Sequence, residues 1–181
     1  MSTTLPKNEQ GLRFGYTTGS CATAAAAAAA QMLLCGDEVS TVDFMTPKGI
    51  KLQLDIEHIT REENRVRCGV KKDAGDDPDI TDGIYIYAVA EISDEPGVQI
   101  EGGIGVGRVT RPGLDQPVGA SAVNHVPREM ITREVSQVME HARYDGGIRI
   151  TIEIPEGVEA VLVYGGEHKL SAGVNELAIS K

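Results

Sequence analysis

Tryptophan is absent, phenylalanine occurs twice, and aromatic residues make up only 4% of the 181-residue chain. A surface that stacks nucleic-acid bases needs exposed rings, so this scarcity argues against single-strand binding. Basic residues are also few: 17 Lys and Arg face 27 Asp and Glu, a formal charge of -10 that repels nucleic acid and anionic membranes. Cysteine occurs three times, as Cys21, Cys35 and Cys68, an odd number with no C-x-x-C pair. That excludes a zinc ribbon and a disulfide framework and fits a reducing cytoplasm. The four histidines, His58, His125, His141 and His168, show no metal-ligand spacing, so structural or surface roles are expected of them. The start "MSTTLPKNEQ" lacks the charged and apolar regions of a signal peptide, and the run from Ala22 to Cys35 is short and alanine-rich for a bilayer span.

What is abundant is alanine in one run and glycine throughout. With 41% hydrophobic residues and 21 glycines, the chain can bury a continuous core and turn tightly, and one domain over 1–181 is expected. "TTGSCATAAAAAAAQMLLCG" predicts a helix from about Ser20 to Cys35, opened by small hydroxyl residues and closed by Gly36 in a left-handed conformation. An alanine face lets such a helix approach a sheet or another helix closely.

From Val39 the period becomes two. "VSTVDFM", the turn "TPKG" and "IKLQLDIEHI" predict a hairpin, with Ile50, Leu52, Leu54 and Ile56 alternating with polar residues. "NRVRCGV" and "IYIYAVAEI" predict two further strands, with Val66, Cys68 and Val70 on one face of the first and Ile84, Ile86, Ala88 and Ala90 in alternation on the second. A short strand "VQI" precedes the glycine-dense "EGGIGVGRVTRPGL". Pro127 then opens a second helix carrying Met130, Ile131, Val135, Val138 and Met139 to about Ala142. "IRITIEI" and "AVLVY" are the last strand candidates. Strands outnumber helices and several are joined by tight turns, so the expected fold is α+β: a two-layer sandwich of a mixed, mostly antiparallel sheet covered on one side by two helices.

Four regions have chemistry beyond packing. At "TTGSC", Thr17, Thr18 and Ser20 are either N-caps or hydroxyl donors at an anion-binding helix start, and Cys21 is either a buried small residue or a thiol activated by the first helical turn. "KKDAGDDPDITDG" gathers Asp73, Asp76, Asp77, Asp79 and Asp82 beside Lys71 and Lys72. Its order does not match a calcium loop, and turn chemistry explains Asp-Pro and Asp-Gly, yet mutual repulsion calls for a compensating group. "GGIGVGRVTRPG" lacks the third glycine of a dinucleotide fingerprint. It reads either as a glycine-rich hairpin or as a backbone cradle flanked by Arg108 and Arg111, forked donors for carboxylates. In "NHVPREM", Arg128 stands in a first helical turn, where a cation is unfavourable unless an anion lies nearby.

In order and spacing, "LRFGYTTGSCATAAAAAAA", "VKKDAGDDPDITDG", "GGIGVGRVTRPGL" and "VNHVPREMI" resemble the CbiD-like cobalt-precorrin-5B C-1-methyltransferases of anaerobic cobalamin biosynthesis. The resemblance implies transfer of a methyl group from S-adenosylmethionine to a ring carbon of a cobalt-precorrin, a polycarboxylate tetrapyrrole that is converted to cobalt-precorrin-6A. It implies a substrate or donor site drawn from Thr17, Thr18, Ser20, Cys21, Lys72, Asp73, Asp76, Asp77, Arg108, Arg111 and Arg128, with no metal ligands and no assigned nucleophile. Two departures stand out: Asn124-His125-Val126-Pro127 where the family usually has Asn-Pro-Val-Pro, and Ile104 within the glycine run. After "IEIPEG" the sequence is expected to leave the family, whose second half, a C-terminal domain, is missing. A second chain supplying that half, or a homo-oligomer, is therefore a possible partner. The alternatives are a non-catalytic module that binds anions or tetrapyrroles, and a phosphate- or metal-dependent enzyme built on the Asp loop.

Overall fold

The computed structural model describes residues 15–76, 82–113 and 115–155, together with the backbone of 160–163 and 167–170. The first helix, α1 (Thr18–Cys35), begins two residues before the expected Ser20 because Thr17 is its cap: the Thr17 Oγ1 accepts the Ser20 N–H at 3.0 Å. It ends as expected at Gly36, whose φ of 75° lets its N–H return to the Met32 carbonyl at 3.1 Å. Ala24 to Ala30 are buried all round the helix, because α1 lies between the sheet on one side and α2 (His125–His141) on another. A helix enclosed in this way needs no polar face, and methyl-sized side chains let both neighbours come close. The segment does reach a length and hydropathy compatible with crossing a membrane, contrary to the expectation from its composition; 67% of it is buried inside the protein, the pattern of a core helix.

The strands are β1 (Thr41–Met45), β2 (Lys51–Asp55), β3 (Glu57–Glu62), β4 (Arg65–Lys71), β5 (Tyr85–Ser93), β6 (Gly97–Gly102) and β7 (Gly147–Glu153), then a separate antiparallel hairpin of β8 (Ala160–Val163) and β9 (Glu167–Leu170). The main sheet has the order β3-β4-β5-β7-β6, antiparallel except for β6 beside β7. That one parallel pair is bridged by α2, a β-α-β crossover. "IKLQLDIEHI" does not form one strand. It breaks at Ile56, whose N–H bonds the Ser40 carbonyl, so β1 and β2 form their own two-stranded sheet and β3 joins the main one across a bulge at His58, φ 50°.

The alternation seen in the sequence decides which face is buried. Val66, Cys68 and Val70 on β4, Ile86, Ala88 and Ala90 on β5, and Ile148, Ile150 and Ile152 on β7 are buried, and they join α1 and the Met130, Ile131, Val135 and Met139 stripe of α2 in one core. Both helices cover the same face. The result is the expected α+β two-layer arrangement.

Candidate functional site

The two helices run in the same direction with their N-termini together. A Cβ built on Gly19 would stand 2.8 Å from Pro127 Cγ, and further along Ala27 and Gln31 share a groove with Glu134, Gln137, Val138 and His141. Two partial positive charges therefore meet at one end of the molecule, and neither first turn holds an acidic residue to offset them. The ends of β4, β6 and β7 and the starts of β3 and β5 lie at this same end.

The sequence blocks converge here through backbone contacts. The Tyr16 N–H donates to the Asp73 carbonyl at 2.6 Å, and a Cβ at Gly15 would lie 2.0 Å from the Ala74 carbonyl carbon, so only glycine allows this crossing. The glycine run folds over the ends of β6 and β7. The Gly103 N–H bonds the Ile152 carbonyl, the Ile154 N–H bonds the Ile104 carbonyl, and Gly105, φ 72°, leaves only 2.1 Å between an added Cβ and the Ile154 oxygen. Gly102 then donates to Ser121 Oγ at 2.8 Å, tying the run to the approach to α2.

Beyond the glycines the chain makes an arm. Val109 and Ala120 pair through backbone bonds, Arg108 faces Ser121 in an isolated bridge, and the Arg108 Nη1 donates to the Gly119 carbonyl at 3.0 Å. Arg108 and Arg111 are both exposed on this arm. Arg128 is different. Its guanidinium donates to the carbonyls of Val123 at 2.8 Å, Ile100 at 3.1 Å and Ser121 at 3.4 Å, so the cation at the helix start answers carbonyl oxygens of its own chain rather than an external anion. The α2 terminus is capped from a distance: Asn124 makes no side-chain cap bond, and the Asp115 carboxylate accepts both the His125 N–H and, at 2.7 Å, the His125 Nδ1. These bonds, the backbone one first, hold the Asp115 carboxyl below its ordinary value. Asp115 carried no signal in the sequence, because its partner is ten residues away.

At the start of α1 the hydroxyls serve the helix. Thr17 and Ser20 bond each other, Thr17 caps, and Ser20 is buried while Thr18 is half-buried. Cys21 is fully buried, and burial pushes its thiol up to about 12 although Lys72 pulls the other way, so no thiolate forms there. Lys72 is 4% exposed, held by backbone bonds to Ile84 and Gly83. Asp73 and Asp82 find their compensation in the N–H groups of Gly75 and Ala74, each at 2.8 Å; Asp76 is exposed, and Asp77 and Asp79 lie outside the described residues.

Lys72, Asp73 and Asp82 line a cavity of about 500 Å³ with Tyr16, Asp55, Glu57, Lys71 and Gly83. Asp55 and Glu57 looked like ordinary polar positions of an alternating strand, and only the break at Ile56 turns them towards this space. The cavity sits on the β3-β4 side of the sheet end and the arginine arm on the β6 side. β5 and β7 intervene, so three strand spacings, about 14 Å, separate β4 from β6. The cations expected to share one cradle are thus divided between two flanks of the α1 terminus.

The model of the CbiD family matches residues 5–162. A cobalt-precorrin-5B C(1)-methyltransferase of Alkaliphilus metalliredigens is 47% identical over 175 residues, 96% of this chain and 46% of that protein. Its namesake in Thermoanaerobacter sp. is 46% identical over 156 residues, 86% of this chain and 42% of that protein. The crystal structure of a cobalamin biosynthesis protein (cbiD) from Archaeoglobus fulgidus superposes with a TM-score of 0.57 at 31% identity, covering 78% of this chain and 44% of that one. The chain thus spans less than half the length of these relatives. The family model stops at residue 162, whereas the likeness to the Alkaliphilus protein spans 96% of the chain. With the family match covering most of its length, this chain belongs to the CbiD family.

Proposed function

We propose that the chain carries substrate- and donor-binding parts of a cobalt-precorrin-5B C(1)-methyltransferase, the activity for which its relatives are named. The observation that carries this reading is the convergence of the four sequence blocks at one end of the sheet, where two helix N-termini meet, that of α2 capped by Asp115 and that of α1 with no acidic residue in its first turn. A cobalt-precorrin bears acetate and propionate arms. On a molecule of charge -10, such a substrate needs a local set of donors. Arg108 and Arg111 offer guanidinium forks for those arms, and the α1 start around Thr17 and Thr18 adds amide groups and dipole. Arg128 supports this surface by fixing the loop before α2 to the end of β6.

S-adenosylmethionine supplies an electrophilic methyl group when bound. In the transfer the carbon-sulfur bond breaks with its electron pair going to sulfur, and the ring carbon provides the pair of the new carbon-carbon bond. No bond to the protein is required, and buried Cys21 offers no thiolate for one. The protein contributes placement, which for an in-line transfer supplies much of the rate. The free cysteines fit a reducing, cytoplasmic setting.

We assign this domain the holding of substrate; the chain spans less than half the length of each relative. Titration with uroporphyrin, an octacarboxylate tetrapyrrole, tests the binding half. The wild-type chain should quench its fluorescence saturably, and an Arg108→Ala/Arg111→Ala variant with an unchanged circular dichroism spectrum should bind more weakly. Equal affinity would remove the arm from the site.

A further inference from the structure

The cavity beside the α1 terminus differs in character from the arginine arm. Its volume of about 500 Å³ lies within the range of small-molecule sites. Four carboxylates, Asp55, Glu57, Asp73 and Asp82, line it with two lysines, Lys71 and Lys72, of which Lys72 is 4% exposed. A polycarboxylate ring is repelled by such a wall. A divalent cation is not served either, since among the described residues no three carboxylate, thiol or imidazole groups come together as metal ligands. The fit is to an organic ligand with dispersed charges: cationic centres and hydroxyls for the carboxylates, one carboxylate for the lysines.

We propose that this cavity holds the methyl donor, a nucleoside sulfonium with an amino-acid tail, while the tetrapyrrole occupies the other flank of the α1 terminus. The inference rests on the methyltransferase reading above and assigns the donor its own side of the site. Lys71 and Lys72 face the tail carboxylate, and Asp55, Glu57, Asp73 and Asp82 face the ammonium, the sulfonium and the ribose diol. Asp82 and Glu57 keep hydrogen-bonding capacity for this, since each commits a single oxygen to a partner, the Ala74 N–H and the Tyr85 hydroxyl, both at 2.8 Å. Through Glu57 the cavity adjoins the stacked rings of His58 and Tyr85, 4.1 Å apart, an aromatic neighbour for a nucleobase. Tyr16, which immediately precedes the Thr17 cap, also lines the cavity, so a donor seated here lies beside the start of α1.

Calorimetric titration of the whole chain with S-adenosylmethionine and, separately, with S-adenosylhomocysteine tests the assignment, because the two differ by the methyl group and the positive charge. The sulfonium should bind more tightly than the neutral thioether. Asp55→Asn and Glu57→Gln, which keep shape and remove the negative charge, should each weaken S-adenosylmethionine about tenfold. Saturating uroporphyrin should not displace the donor. Unchanged S-adenosylmethionine affinity in both folded variants would overturn the cavity assignment, as would displacement by uroporphyrin. Absence of donor binding in a chain that still binds uroporphyrin would also overturn it, yet leave the substrate half of the functional reading standing; loss of both would end that reading as well.

Discussion

Gly19 and Pro127 hold the two helix starts together: a β-carbon at Gly19 would sit 2.8 Å from the proline Cγ and 3.2 Å from its Cβ. Alanine at position 19 sets two effects against each other. Helix propensity gains about 1 kcal/mol at most, whereas overpacking a well-filled contact costs about 1–3 kcal/mol. A proline ring cannot swing aside as a lysine tip can, so overpacking wins. Gly19→Ala should lower the melting temperature in differential scanning calorimetry, and a higher value would show that the helix starts separate freely.

The alanine run is a spacing device, which a bulky substitution exposes. Ala26 is fully buried in the helix between the sheet and α2. Ala26→Leu should cost about 1–3 kcal/mol in urea unfolding with little change in slope. A neutral result would mean that the layers around α1 are not closely packed.

Arg128 is a brace, and its loss should be read in stability. Three carbonyls share its guanidinium. Lysine keeps the charge but cannot serve all three, so Arg128→Lys should lose about 2 kcal/mol, given the worth of hydrogen bonds to charged groups. Uroporphyrin affinity per folded molecule should stay near wild type. A variant of full stability with impaired binding would instead make Arg128 a substrate contact.

The Asp115 cap predicts a particular acid response. Its folded carboxyl lies below the ordinary 3.8, first through the His125 N–H and then through the His125 side chain. A lowered value means that the stabilisation is complete above the unfolded value and disappears as pH falls through the folded one. Asp115→Asn should therefore destabilise the protein at neutral pH and flatten its loss of stability below about pH 4. Parallel acid limbs for the two proteins would show that the cap carries no linkage.

The fold was largely legible because each major element announces itself locally. Thr17 and Gly36 frame α1, and the alternations on β4, β5 and β7 place Cys68, Ala88 and Ile150 in one core. The site was legible only in part. The glycine, aspartate and TTGS blocks stand out in the sequence and do come together, but their division into two flanks follows from the strand order β3-β4-β5-β7-β6, a long-range property. Asp55 and Glu57 depend on a strand break at Ile56, and Asp115 on a bond across a loop, neither of which has a periodic trace. Arg128 misled for a related reason: carbonyl oxygens can satisfy a guanidinium as an anion does, and a sequence does not show where carbonyls point.

We propose one end of the sheet as the tetrapyrrole site. Backbone amide shifts followed by NMR during a uroporphyrin titration test it directly. Perturbations are expected in residues 15–20, 103–113 and 120–128, with Gly36, Asn64, Asp94 and Gly146 at the far end unmoved. Shifts concentrated at those far-end residues, or spread evenly over both ends, would contradict it.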